Sequence, residues 1–176
     1  MGCKNMLGSE TSVINFLFAD DAPEKQAITI DFFEHWVKTR KYDVYISSVV
    51  VEEINATPNL LHKQKLLDVL NQYPLQYVEI EQSEDIAFLA ELYIAHRIIP
   101  QKKVADALHI AIATVNRMDI LLSWNYRHLA NVQRKHQVQM VNIAHNYVSP
   151  LEIVTPLEVM SDEDERDEFT DFPSPN

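Results

Sequence analysis

The residues of this sequence best suited to chemistry are carboxylates that stand among apolar neighbours. Asp106 lies within residues 104–113, where nearly every other side chain is apolar. A buried carboxylate is costly unless a cation or a hydrogen-bond donor stabilises its charge. The alternative is structural, with Asp106 capping its helix or pairing with Lys102 or Lys103. The pattern favours a metal ligand.

Two adjacent glutamates, Glu52 and Glu53, lie in a segment that we predict to be helical, residues 49–55. Neighbouring helical residues project about 100° apart, so one carboxylate can face a site while the other faces water. We assign Glu53 to the site and Glu52 to solvent. Two ordinary surface glutamates are the alternative.

Polar residues also follow a predicted strand at residues 119–122. Ligands of α/β proteins bind at the carboxyl ends of the strands, where Ser123 and Asn125 would stand. Both residues could contact a metal-held water or a phosphate. Alternatively, both cap the next helix, which is the commoner use of serine and asparagine.

Glu10 precedes a predicted helix at residues 11–18. It could cap that helix or place a carboxylate at the end of the sheet. The residues before it, 5–9, are predicted to make a poor buried strand, because Gly8 and Ser9 offer little to pack.

Four basic residues flank these positions and could hold phosphates, although each is more often an ordinary surface charge: Lys102, Lys103, Arg127 and His128. His109 shares a helical face with Asp106. It either orients Asp106 or is an ordinary buried histidine, which is the commoner case.

Several other kinds of site are excluded by the sequence. Its seven histidines include no HExxH pair, and its single cysteine rules out an internal disulfide or a cysteine-based zinc site. No serine stands on a glycine-flanked elbow. The two glycines, Gly2 and Gly8, cannot build a phosphate-cradling loop.

Predicted strands alternate with predicted helices along the chain. The strands are at residues 43–46, 76–80, 119–122 and 152–155, and helices include 60–70, 104–115 and most of 125–144. This alternation predicts an α/β fold with a parallel sheet covered on both faces. We place one domain in residues 1–160 and a disordered tail in residues 161–176.

The charge and composition of the chain indicate the cellular compartment in which we expect the protein. The chain has 176 residues, 47% of them hydrophobic, and a net charge of -11. The tail holds seven acidic residues against one arginine, a net of -6, so the domain itself is only mildly acidic. With no secretion signal, no apolar stretch long enough for a membrane and one cysteine, we expect a cytoplasmic protein.

Five segments together resemble the PIN-domain family, specifically its VapC-type toxins from type II toxin–antitoxin systems. They are residues 10–15, 46–54, 105–110, 122–128 and 153–157. The resemblance covers about residues 10–160. It implies a three-layer α/β/α sandwich with five parallel strands.

The resemblance also implies a function, that of a metal-dependent endoribonuclease whose acids hold Mg²⁺ or Mn²⁺. Glu53 and Asp106 match the family's acids, and Asn125 stands where many relatives have aspartate. Glu10 replaces the aspartate of a Leu-Asp-Thr-Ser pattern. Glu10, Glu53, Asp106 and Asn125 would hold metal, and Ser123 would orient water or phosphate.

The implied partners are an RNA substrate, a cognate antitoxin and a second copy of the chain in a homodimer. A different function remains open, in which a PIN-like scaffold with weakened catalysis binds RNA or a protein without cleaving. Glu10 and the unusual N-terminal segment favour this alternative.

Overall fold

The computed structural model describes residues 6–78, 83–125 and 131–161. Five short strands occur in these ranges: β1 (Met6–Ser9), β2 (Asp43–Ile46), β3 (Gln76–Tyr77), β4 (Ile120–Leu122) and β5 (Glu152–Val154). They form one sheet in the order β3-β2-β1-β4-β5, and every neighbouring pair is parallel. The predicted parallel sheet is therefore confirmed.

Helices connect the strands: α1 (Thr11–Asn15), α2 (Pro23–Phe32), α3 (Ser48–Asn55), α4 (Leu60–Gln72), α5 (Ser83–Ala95), α6 (Val104–Val115) and α7 (Val132–Ala144). A 3₁₀ turn, Phe16–Phe18, extends α1, and a π-helical turn, Phe33–Val37, extends α2. No helix among the described residues is long and apolar enough to cross a membrane.

The sheet separates two hydrophobic cores because successive strand residues point to opposite faces. In β2, Val44 and Ile46 join a core formed with α1, α2 and α4. Tyr45 packs against the other core, which α5, α6 and α7 form on the opposite face. The predicted α/β fold with helices on both faces is thus confirmed.

The prediction of a poor strand before Glu10 is wrong, because β1 is the central strand of the sheet. Leu7 is fully buried, and β1 pairs with both β2 and β4. A Cβ added at Gly8 would lie 2.7 Å from the Met118 sulfur. Met118 therefore fills the space that a side chain at Gly8 would occupy, which the local sequence does not reveal.

The N-terminal ends of α2 and α7 are capped differently. Ala22 occupies the N-cap of α2, with Pro23 following it, and no side chain caps this helix. Helix α7 covers most of the segment predicted to be helical, residues 125–144; it begins at Val132, and the Asn131 side chain caps it. Residues 162–176, which include almost all of the predicted tail, lie outside the described residues.

Candidate functional site

The candidate site lies where the sheet order reverses, between the carboxyl ends of β1 and β4. The chain moves from β1 outward through β2 to β3, whereas β4 returns to the other side of β1. Such a switch point opens a crevice at the strand ends, where α/β proteins bind ligands. Glu10 follows β1 and Ser123 follows β4. The Ser123 Oγ donates a hydrogen bond of 2.8 Å to the Glu10 Oε1.

Glu10 fulfils both of the roles considered for it. It is the N-cap of α1, where its carboxylate accepts hydrogen bonds from the Ser12 hydroxyl and the Ser12 backbone N–H. It also lies at the end of the sheet and is only 4% exposed. Burial raises the pKa of the Glu10 carboxyl, against the opposing charge of His109. The hydrogen bonds from Ser12 and Ser123 also lower this pKa, without cancelling the effect of burial.

The loop after β4 is attached to α1 and α6 by hydrogen bonds. The Trp124 N–H donates to the Ser12 Oγ at 2.9 Å, and the Asn125 N–H donates to the Ser123 Oγ at 2.9 Å. The Asn125 Nδ2 donates to the Asp106 Oδ2 at 3.2 Å. Ser123 and Asn125 therefore contact the candidate acids Glu10 and Asp106, whereas the cap of α7 is Asn131.

Asp106 lies in the first turn of α6 and is 8% exposed. The N-terminal end of a helix favours a negative charge there, since its backbone N–H groups lack partners within the helix. The apolar sequence around Asp106 predicted its burial, and the structure adds Asn125 as a hydrogen-bond donor.

Glu53 approaches the same region from α3, with its side chain 37% exposed. Its Oε2 accepts hydrogen bonds from the Thr11 hydroxyl and, at 2.8 Å, from the His109 Nε2. Burial acts to raise the pKa of Glu53. The hydrogen bonds from His109 and Thr11, aided by nearby positive charge, outweigh that effect and lower the pKa. Glu52 is exposed, so the two glutamates face as predicted.

Two side chains of the network, Thr11 and Ser12, were not predicted from the sequence, and His109 was not predicted to contact Glu53. His109 was considered as a partner of Asp106, but the structure places it against Glu53. The hydroxyls of Thr11 and Ser12 directly follow Glu10, which was the only local signal. Their contacts with Glu53 and Trp124 join distant parts of the chain.

The structure describes two of the four predicted phosphate-binding residues, Lys102 and Lys103. Lys102 is exposed, and Lys103 is the N-cap residue of α6. The charge of Lys103 contributes to lowering the pKa of Glu53, which places it near that carboxylate. Arg127 and His128 lie outside the described residues. A role of these residues in binding RNA stays a prediction.

The oxygen atoms of the candidate acids and of Asn125 are the type of ligand that Mg²⁺ and Mn²⁺ prefer. Among the described residues, no group of three or more His, Cys, Asp or Glu side chains is placed to hold an ion. Mg²⁺ commonly keeps several waters and binds one or two protein carboxylates. Glu53 and Asp106 carry the kind of ligand that such a hydrated ion uses, and their holding one together with the amide oxygen of Asn125 stays a prediction. Glu10, whose carboxylate accepts from Ser12 and Ser123, stays a predicted ligand.

No protein-family model matches the sequence. No curated protein matches it either. Among solved structures, the chain is similar to the crystal structure of VapBC2 from Rickettsia felis bound to a DNA fragment from their promoter. The identity is 14%, the match covers 69% of this chain and 89% of that chain, and the TM-score is 0.48.

Proposed function

We propose that this protein is a metal-dependent endoribonuclease that acts as the toxin of a toxin–antitoxin pair. One observation carries the nuclease proposal. Polar residues from four separate segments converge at the switch point, as the bonds from Ser123 to Glu10 and from Asn125 to Asp106 show. Glu53 joins them through Thr11, the residue next to Glu10.

The proposed reaction is hydrolysis of an RNA phosphodiester bond. A divalent cation at Glu53 and Asp106 would supply an acidified water and neutralise phosphate charge. Asn125 orients the Asp106 carboxylate through its Nδ2. Ser123 fixes the loop that carries Asn125, since its Oγ accepts the Asn125 N–H. Lys103, whose charge acts on Glu53, would reduce the repulsion between these carboxylates and RNA, and the exposed Lys102 would contact phosphates next to it.

The partners follow from the resemblance of the sequence motifs. A toxin of this kind requires an antitoxin that masks the site, and we propose a homodimer as its assembly. The VapC-type segments at residues 10–15, 46–54, 105–110 and 122–128 support this part of the proposal.

Asp106→Asn tests the nuclease proposal because it removes the charge while keeping the shape of the side chain. We expect cleavage of a mixed RNA pool to require Mn²⁺ or Mg²⁺ and to stop with a chelator. A loss of about 3 kcal/mol of transition-state stabilisation predicts a rate on the order of 100-fold lower for the variant. Asp68→Asn, an exposed substitution on α4, is the charge-matched control and should cleave like the wild type. Equal cleavage by Asp106→Asn and the control would refute the proposal.

The second candidate is a scaffold that binds RNA or a protein without cleaving. The specific observation in its favour is Glu10, whose carboxylate is occupied by Ser12 and Ser123. This candidate predicts RNA binding that is unchanged by a chelator and no cleavage by the wild type with either metal.

A further inference from the structure

His109 is a buried polar residue between two of the candidate acids. It lies on α6, three residues after Asp106, and is 3% exposed. Its Nε2–H donates a 2.8 Å hydrogen bond to the Glu53 Oε2, and the ring, when protonated, acts to lower the pKa of Glu10. A buried imidazole in direct contact with a candidate ligand is placed to control the position of that ligand.

The contact restricts a side chain that would otherwise be mobile. Glu53 is about one-third exposed, and a glutamate side chain has many accessible rotamers. The donors from His109 and Thr11 both reach Oε2 from elements other than α3. Within the described contacts of Glu53, Oε1 accepts no hydrogen bond. The carboxylate is therefore held by one oxygen and can offer the other to a cation.

His109 also lines a small cavity. Its volume is about 10 Å³, and its polar lining includes Ser9, Ser47 and His109. Ser47 is the N-cap residue of α3, yet its side chain makes no capping hydrogen bond. The Ser47 Oγ is buried and has no partner within the described part of the chain. A hydroxyl so placed is costly, and a cavity of this size holds about one water.

We propose that His109 is a positioning residue for Glu53, and that one water in this cavity links the Ser47 Oγ to the His109 Nδ1. The link fixes the ring so that Nε2 carries the proton given to Glu53. The proposal rests on the proposed function because it takes Glu53 as a ligand of Mg²⁺ or Mn²⁺. Hydrogen-bond partners of metal ligands typically change metal affinity by about 10–100-fold when they are removed.

Calorimetric titration with Mn²⁺ alone tests the role of His109, using a conservative and a disruptive variant. His109→Leu fills the space without a donor, whereas His109→Gln keeps an N–H near the position of Nε2. We expect Mn²⁺ affinity to fall about tenfold or more in His109→Leu and to be largely restored in His109→Gln. Wild-type affinity in His109→Leu would overturn the inference while leaving the proposed function intact.

A metal-free measurement separates this inference from the proposed function. Nitrogen-15 NMR of the protein without metal should show a protonated Nε2 in His109 that responds to Glu53→Leu. If this signal is missing, His109 does not hold Glu53 and the inference fails. A wild-type protein that shows the signal but binds no Mn²⁺ would contradict the proposed function instead.

Ser47→Ala tests the water link, because the link predicts a lower Tm and a hydroxyl without any partner does not. Removing a hydroxyl that truly lacks a partner should leave the Tm unchanged or raise it. Removing one that binds a bridging water should lower the Tm and shift the His109 Nδ1 resonance. Ser48→Ala, at the exposed next position, is the matched control and should change neither. An unchanged or higher Tm in Ser47→Ala would overturn the water link.

Discussion

Ser123 is the residue that links Glu10, after β1, to Asn125, in the loop after β4. It is fully buried, donates to the Glu10 Oε1 and accepts from the Asn125 N–H. Because Asn125 in turn contacts Asp106, one hydroxyl connects the end of β1 to the first turn of α6. A buried hydroxyl with two partners contributes to stability as well as to the geometry of the acids.

Replacing Ser123 by alanine should therefore destabilise the protein. The change leaves the Asn125 N–H without its acceptor and removes one donor from Glu10, which costs roughly 1–3 kcal/mol. Urea unfolding measures this loss, with Ser149→Ala as the exposed control. A loss no larger than that of the control would show that the hydroxyl does not join these segments.

At single residues, the sequence allowed some predictions of the site and not others. The separation of Glu52 from Glu53 was predictable because it depends only on helix geometry. The burial of Asp106 was predictable from its apolar neighbours. The contact between His109 and Glu53 joins residues 56 positions apart, so no local pattern could indicate it.

Among the elements, β1 shows how tertiary packing can override a weak local signal. Gly8 offers no side chain to pack, yet β1 is the central strand, and Met118 fills the space over Gly8. Strand preference depends strongly on what neighbouring elements bury, and here that partner lies more than 100 residues away. The sequence around Glu10 alone could not reveal it.

The packing of Met118 over β1 leads to a prediction about two positions. Met118→Ala should destabilise the protein by about 2–5 kcal/mol, because it opens a cavity over Gly8. Adding Gly8→Ala should recover part of that loss, since the new methyl group enters the space vacated by Met118. Urea unfolding of the single and double variants measures the coupling. Met140→Ala, at a position 71% exposed, is the control. Additive losses in the double variant would contradict this packing.

At the scale of the whole molecule, the position of the site follows from the order of the strands. The alternation of strands and helices was enough to predict a parallel sheet with helices on both faces. The strand order β3-β2-β1-β4-β5 could not be predicted, because several strand orders are compatible with the same alternation of strands and helices along the sequence. That order places β1 beside β4, and so brings Glu10 and Ser123 together across 113 positions of sequence.

The central claim is that the acids gathered at this switch point cleave RNA with a divalent metal ion. The most direct test compares Glu53→Gln with Glu52→Gln in Mn²⁺-dependent cleavage of an RNA pool. The two variants remove the same charge from neighbouring positions of α3, one in contact with Thr11 and His109 and the other exposed. We predict a loss on the order of 100-fold for Glu53→Gln and wild-type cleavage for Glu52→Gln. Equal rates for the two variants, or no cleavage by the wild type, would contradict the claim.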